Sequence, residues 1–397
     1  MISSAANILT VAAAHTEQIK KALEIKWEVI QNASYETGLP GLSLFYAYYA
    51  RYTGDTQYFE KAEDFLIRGI SSLDLANFKR IYKTDSLDAH LAHIGRFLEF
   101  TKAHKILEVD TGDYLSDIDS TLLELMQSKI AIGNFDINSG ALAAGYYFLG
   151  RSEGNVEAPL TLLVQGIENM AFTDEASDYY WTTPPLYNRI YLGISHGSAL
   201  LLSFLANVCE RGIETEACSR IIRKAASYLL KQRSGYEKGM FPHFIGDEET
   251  GPKQFSLCYG DLGIGYALYR AGHVLQDEHL LTVAGIILND CLTRNREDNR
   301  TLDASILYGA AGVGATFEKL HRISGDQRYQ QAAGYWYEQI PSYAVHENEF
   351  AGYKTRLPDA GPLWNTSFGW GIIGIGISLM RMMKPELPAI DPLLLIA

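Results

Sequence analysis

Two chemistry-bearing side chains in this sequence stand within two residues of glycines that open apolar runs. They are His196, in Leu192-Gly193-Ile194-Ser195-His196-Gly197, and Cys258, in Leu257-Cys258-Tyr259-Gly260. An imidazole can give or take a proton near neutral pH. A cysteine can act as a nucleophile or metal ligand once it is a thiolate. Asp136 precedes a third such glycine, in Phe135-Asp136-Ile137-Asn138-Ser139-Gly140, and Tyr308 a fourth, in Ser305-Ile306-Leu307-Tyr308-Gly309. Each residue also has a structural alternative. His196 can be a satisfied histidine at a helix N-terminus and Asp136 an N-cap. Tyr259 can be core packing, and Cys258 a buried inert thiol. Glycoside cleavage needs two carboxylates across the scissile bond. Asp136, Asp261 and Asp303 are candidates, but no pair stands out, although 25 tyrosines could stack on sugars.

Glycine marks the elements that must position these residues. Three segments share the pattern G-x-x-G-x-G, from Gly260 to Gly265, Gly309 to Gly314 and Gly371 to Gly376, each followed by an apolar helical run. Weaker copies occur at Gly38-Leu39-Pro40-Gly41, Ala92-His93-Ile94-Gly95, Gly140-Ala141-Leu142-Ala143 and Gly197-Ser198-Ala199-Leu200. The seven copies recur every roughly 48 to 63 residues, room for two helices and their connections. The first helix of each pair is apolar nearly all round, as over Leu42 to Tyr49, and is predicted to be buried. The second is amphipathic, as over Gln57 to Ile67 and Asp277 to Ile287. Gly54-Asp55 and Gly325-Asp326, in matching stretches, supply a turn and an N-cap before it. Buried helices inside amphipathic ones predict an all-α fold, an α/α toroid of seven inner and seven outer helices, the architecture that six-hairpin glycosidases share.

The stretch from about Ala5 to Asn32 has helical spacing without a glycine motif, and is expected to supply the seventh outer helix and close the ring. No spacing leaves room for an inserted domain, so residues 1–397 are expected to form one domain. The glycines are expected to let the inner helices crowd one axis, with their free N–H groups pointing into a central cup. Two long connections should lie at its mouth. One runs from about Ala171 to Leu192 and holds Trp181, Pro184, Pro185, Tyr187 and Arg189. The other runs from about Ser234 to Leu257 and holds Tyr236, Phe241, His243, Phe244 and Lys253.

Bulk properties narrow the function. A net charge of −13 disfavours a nucleic-acid partner and is compatible with a basic peptide. Four cysteines with no C-x-x-C pair, Cys209, Cys218, Cys258 and Cys291, argue against a disulfide framework and fit a reducing cytoplasm. Met1 to Thr16 has no basic segment followed by an apolar run, so no signal peptide is expected. No apolar run is long enough to predict a membrane span.

These motifs, in this order and spacing over almost the whole chain, resemble those of the lanthionine synthetase C (LanC) family. The Asp136 segment resembles the family's Asp-before-Ser-Gly segment, and the His196 segment its L-G-x-[AS]-H-G. Leu257-Cys258-Tyr259-Gly260 resembles its W-C-Y-G, with Leu257 for Trp. The resemblance implies a cyclase of lanthipeptide biosynthesis. Its partners would be a dehydrated precursor peptide and a dehydratase. In such a cyclase zinc turns a peptide cysteine into a thiolate, which adds to a dehydroalanine or dehydrobutyrine. It also implies that zinc would be held by Cys258 and by the residues at 307 and 308, where the family has Cys and His. Here those are Leu307 and Tyr308, and the family's Arg four residues before the Cys is Gln254, beside Lys253. One thiolate does not make a stable zinc site, so no cofactor is expected. Asp136, His196 and Tyr259 match family positions at the reacting centre, where His196 would protonate the enolate. The alternatives are a carbohydrate-active toroid and a zinc-free scaffold that binds a peptide.

Overall fold

The computed structural model describes residues 2–73, 78–82, 84–109, 112–234, 239–247, 253–357 and 361–397. Tyr236 lies outside the described residues. Seven helices are buried along most of their length: α2 (Leu39–Thr53), α4 (Leu87–Ala103), α6 (Ala141–Gly150), α8 (Ser198–Glu210), α10 (Asp261–Leu275), α12 (Ala310–Ser324) and α15 (Ile372–Met383). Seven others wrap them: α1 (Ile2–Lys26), α3 (Gln57–Ser71), α5 (Gly112–Ala131), α7 (Glu157–Asn169), α9 (Thr215–Lys231), α11 (Glu278–Leu292) and α13 (Gln327–Gln339). A five-residue helix, α14 (Pro362–Thr366), sits in the last long connection. The inner ring runs α4, α6, α8, α10, α12, α15, α2, and α1 packs on α15 and closes the outer layer. α2 and α4 are tied by Ser34 Oγ to His93 Nδ1, 2.7 Å, and by Arg51 Nη2 donating to the His104 carbonyl, 3.2 Å. The only strands among the described residues are a two-residue pair, β1 (Phe172–Thr173) and β2 (Tyr179–Tyr180), in the first long connection.

The outer helices bury one stripe each. On α3 this is Ala62, Phe65, Leu66 and Gly69, the helical spacing of a surface helix. Inner α2, by contrast, buries every residue from Leu39 to Ala50. Gly54 and Gly325 end α2 and α12 in the left-handed conformation, at φ 80° and 72°. Asp326 then caps α13, its carboxylate accepting from the Arg328 N–H at 2.9 Å.

One expectation is corrected and another extended. The second glycine copy, Ala92–Gly95, is not a helix start. α4 begins at Leu87, and Ser86 takes the capping role, its Oγ accepting from the Ala89 N–H at 3.2 Å. The glycines also do more than let neighbouring repeats crowd together, as Gly263 does against Ile194 and Gly374 against Ile306. A Cβ on Gly312 would overlap the carbonyl of Ile306 in the loop leading into α12, and one on Gly314 would press on the Tyr337 ring of outer α13. These small residues fit an inner helix to its own entry loop, to its outer partner and to the neighbouring repeat.

α4 is also not apolar all round. It buries Asp88, His90, His93, Arg96 and Glu99, each where a partner reaches it. Asp85 meets His90 at 2.8 Å and Arg151 meets Glu99 at 2.6 Å. Arg96 serves a different element. After α15 the chain turns into the middle of the ring, and residues 387–397 fill its axis. Arg96 Nη2 donates to the Pro392 and Leu394 carbonyls at 2.9 and 3.3 Å. Tyr35 donates to Leu393, Tyr266 to Ile396 at 3.0 Å, and Asn207 to Ala397 at 3.0 Å. Asp391 is clamped by Lys319 and Arg322.

Candidate functional site

The site repeats around the ring. The residues two places before the seven inner-helix caps are Glu36, Thr84, Asn138, Ser195, Cys258, Leu307 and Gly369; those one place before are Thr37, Asp85, Ser139, His196, Tyr259, Tyr308 and Trp370. Part of this ring is sewn together by its backbone: Cys258 N–H donates to Leu307, Leu307 N–H to Gly369, and Gly369 N–H to Glu36, at 3.2, 3.0 and 3.1 Å. Nine of these side chains or backbones meet at one cavity of about 30 Å³: Glu36, Asn138, Ser195, His196, Cys258, Tyr259, Leu307, Tyr308 and Trp370. Ile137 and Leu395 complete the lining. Such a volume takes about one water molecule.

Asp136 stands behind the wall and holds His196. Its Oδ2 meets His196 Nδ1 at 2.5 Å, while Oδ1 accepts from the Asn138 N–H, the Ser139 N–H and the Ser139 hydroxyl at 2.9, 3.0 and 3.0 Å. It is therefore not a helix cap, since Gly140 occupies that position. Burial alone would raise its carboxyl, but His196 and these donors outweigh burial and hold it below the ordinary carboxylate value. With Nδ1 committed to Asp136, Nε2 is the nitrogen left to exchange a proton at the cavity. The long connections cover this wall. Thr183 Oγ donates to the His196 carbonyl at 2.9 Å, and Leu192 N–H donates to the His243 carbonyl at 3.1 Å, joining the two loops.

Cys258, Tyr259, Leu307 and Tyr308 form the adjoining wall. The Tyr259 and Tyr308 rings lie 5.8 Å apart and the His243 ring 5.0 Å from Tyr259. Burial first, and then the Glu36 carboxylate, push the Cys258 thiol well above its ordinary value. Burial, and then Cys258, push Tyr308 up in the same way. Without a cation both stay protonated. The donor set does not fit zinc: beside Cys258 stand an isobutyl group and a neutral phenol. Among the described residues no three His, Cys, Asp or Glu side chains group as metal ligands. His196 is engaged with Asp136, and His346 lines a different pocket.

Other candidates fall away from the cavity. Lys253 is buried against Asp247 at 3.0 Å, and Gln254 donates to Ser256 at 3.1 Å. Asp261 accepts from the Met240 and Phe241 N–H groups and from Arg294, and Asp303 accepts from Ser305 and the Arg356 N–H. Both carboxylates are spent on loop structure, which leaves no glycosidase pair at the cavity.

Sequence reasoning missed Glu36 and Leu395. Glu36 could have been found, because it occupies in the first repeat the position Cys258 occupies in the fifth. Its Oε2 is buried without a hydrogen-bond partner, as is Asn138 Oδ1 across the cavity. Burial raises the Glu36 carboxyl to about 7, against the opposing charge of Arg96 and with help from Asp85 and Asp136. A raised carboxyl contributes stability below its ordinary value that is lost as pH rises through about 7. Glu36→Gln should therefore gain on the order of 3 kcal/mol over the native protein at about pH 8, with little difference at about pH 4. Urea midpoints at the two pH values measure this, and an unchanged pH dependence in the variant would refute it.

The comparisons with known proteins accord with this geometry. The family model described as "Lanthionine synthetase C-like protein" matches residues 29–395. The chain belongs to the lanthionine synthetase C-like family. It also superposes on the solved structure of a nisin cyclase with a TM-score of 0.72 at 17% identity, covering 100% of this chain and 98% of that one. At that identity the likeness concerns the fold. No curated protein sequence matches.

Proposed function

We propose that this protein serves peptide modification of the lanthipeptide type, binding a dehydrated, cysteine-bearing precursor at the cup and promoting thioether closure without zinc. The observation that carries this reading is the Asp136–His196 pair, 2.5 Å long, facing a cavity that also holds Cys258 and the unpartnered carboxyl oxygen of Glu36. In such a closure the peptide thiol loses its proton and sulfur bonds to Cβ of the dehydro residue. The C=C π pair moves toward the carbonyl, and Cα of the resulting enolate takes a proton. Glu36 is placed to accept the first proton and His196 Nε2 to deliver the second. The cavity must widen to admit a side chain, because it holds about one water as it stands. The nisin cyclase likeness and the family membership support a peptide partner, and a dehydratase is the class of enzyme that would supply it. The four cysteines are free thiols, in keeping with a cytoplasmic site of action. No helix among the described residues is long and apolar enough to cross a membrane.

The test uses a synthetic peptide bearing one cysteine and one dehydroalanine. Closure leaves its mass unchanged but protects the thiol from alkylation, which mass spectrometry reads. His196→Ala should slow protein-dependent closure by about 10²-fold, the usual worth of a positioned acid. Asp136→Asn should lower it in the same direction by misorienting the ring. If closure with the native protein is no faster than in buffer, and the peptide does not bind, the proposal fails.

A further inference from the structure

Beside the cup, on the same face of the ring, lies a second pocket of about 130 Å³ between the entries to α12 and α15. Trp370 is the wall the two cavities share. The chain as a whole is acidic, with 47 Asp and Glu against 34 Lys and Arg, yet this pocket reverses that balance. Its lining sets Arg296, Lys354 and Arg356, with the His346 imidazole beside them, against a single carboxylate, Asp303.

Asp303 forms no ion pair with them. Its Oδ1 accepts from the Ser305 N–H and hydroxyl at 2.8 and 2.6 Å, and its Oδ2 from the Arg356 N–H at 2.8 Å and the Thr355 hydroxyl at 3.4 Å. Among the described residues none of the three cationic side chains has a carboxylate within 4.0 Å. Arg296 lies over the Tyr343 ring, 4.0 Å from its centroid, and its Nε is buried without an acceptor. A buried guanidinium N–H with no acceptor is costly unless a ligand satisfies it. The volume suits one short side chain, and the chemistry calls for an anionic one.

We propose that this pocket anchors an acidic residue, Asp or Glu, of the polypeptide whose reacting segment enters the cup. The assignment rests on the peptide-binding reading above. Arg296 would grip the carboxylate, with Lys354 and Arg356 at the exposed rim drawing the acidic segment in. Trp370 would separate the anchored residue from the reacting one, so the pocket sets where along the peptide the chemistry falls.

The probe is a fluorescein-labelled hexaglutamate, with hexaglutamine as its neutral counterpart, followed by anisotropy on the full chain. Hexaglutamate should bind and hexaglutamine should not. The double variant Lys354→Glu/Arg356→Glu, both exposed and therefore tolerant of substitution, should weaken hexaglutamate at least about tenfold. Lys21→Glu/Lys105→Glu, with the same charge change elsewhere on the surface, should leave it within about twofold. Arg296→Gln keeps bulk and polarity, and should weaken it as much as the rim pair does. Equal weakening by the rim pair and the control pair would overturn the proposal, as would equal binding of a thymidine decamer, which marks a general polyanion surface. Failure here is separable from failure of the cup. If the cysteine–dehydroalanine peptide still closes in a His196-dependent way while hexaglutamate ignores the rim pair, the cup reading stands and the anchor is wrong. If hexaglutamate behaves as expected but no closure occurs, the anchor stands alone.

Discussion

A chain lacking residues 388–397 should not fold cooperatively. Leu393, Leu394, Leu395 and Ile396 are 2, 4, 7 and 0% exposed inside the ring, although they follow the last helix. At about 1.5–3 kcal/mol for each buried aliphatic side chain, these four contribute about 6–12 kcal/mol, comparable with the whole stability of about 5–15 kcal/mol of a typical domain. The loss would also strip acceptors from Arg96, Tyr35, Tyr266 and Asn207, leaving buried donors unpaired. A milder probe keeps the segment and removes its central anchor. Arg96→Met leaves the Pro392 and Leu394 carbonyls without their donor and should cost about 2–6 kcal/mol. Urea unfolding followed by circular dichroism, with dye binding to report exposed apolar surface, measures both. A truncated chain with a native-like midpoint would mean that the axis is filled by something else, and that Leu395 is not the floor of the cup.

Leu307→Cys together with Tyr308→His should convert the cup into a zinc site holding about one zinc per chain, while the unaltered protein carries far less. The cup already brings the two positions beside Cys258, whose N–H is bonded to the Leu307 carbonyl at 3.2 Å. Both substitutions replace a larger side chain by a smaller one, so they add no overpacking. Three protein donors with an open fourth position are what a catalytic zinc requires, and bonds to deprotonated donors supply about 10–16 kcal/mol in full structural sites. In the unaltered protein an isobutyl group faces the place of the ion, and desolvation disfavours the charge. The Cys258 thiol, raised by burial and then by Glu36, gives up its proton only to a strong cation. Metal analysis of both proteins after purification decides the matter. Stoichiometric zinc through Cys258 in the unaltered protein would mean that another residue has taken over the lost positions. A folded double variant that gains no zinc would mean that the cup geometry is not that of the family's site.

The repeat was legible because burial has a period. Seven apolar runs at regular spacing, each led by small residues, can form only helices that bury all faces, and the amphipathic runs between them only helices that bury one. The one misplaced copy, Ala92–Gly95, failed because Ser86 does by side-chain capping at the start of α4 what glycine does elsewhere. His196, Cys258, Tyr259 and Tyr308 could be put at one cavity from sequence because each directly precedes an inner helix, and the inner helices start on one face of the ring. Glu36 stands in the same register and was overlooked because a lone glutamate in a loop carries no local pattern.

What the sequence by itself determined, then, is what is local or periodic: the helix pairs, the ring they close, the residues that open six of the seven inner helices, and the chemistry missing at Leu307 and Tyr308. What only the tertiary structure decided is which side chains spend their charge on each other. Asp136 is taken by His196, Asp261 by Arg294 and the loop N–H groups, and Asp303 by its own turn, while Arg296 pairs with no carboxylate and its Nε is left without an acceptor. The same holds for the axis. An apolar stretch such as Leu393 to Ile396 is driven from water by its composition, but that it enters the middle of the ring, and not an outer groove, follows from donors on four separate segments converging on its carbonyls. Such convergence joins residues up to 358 positions apart in the chain, and no short-range pattern encodes it.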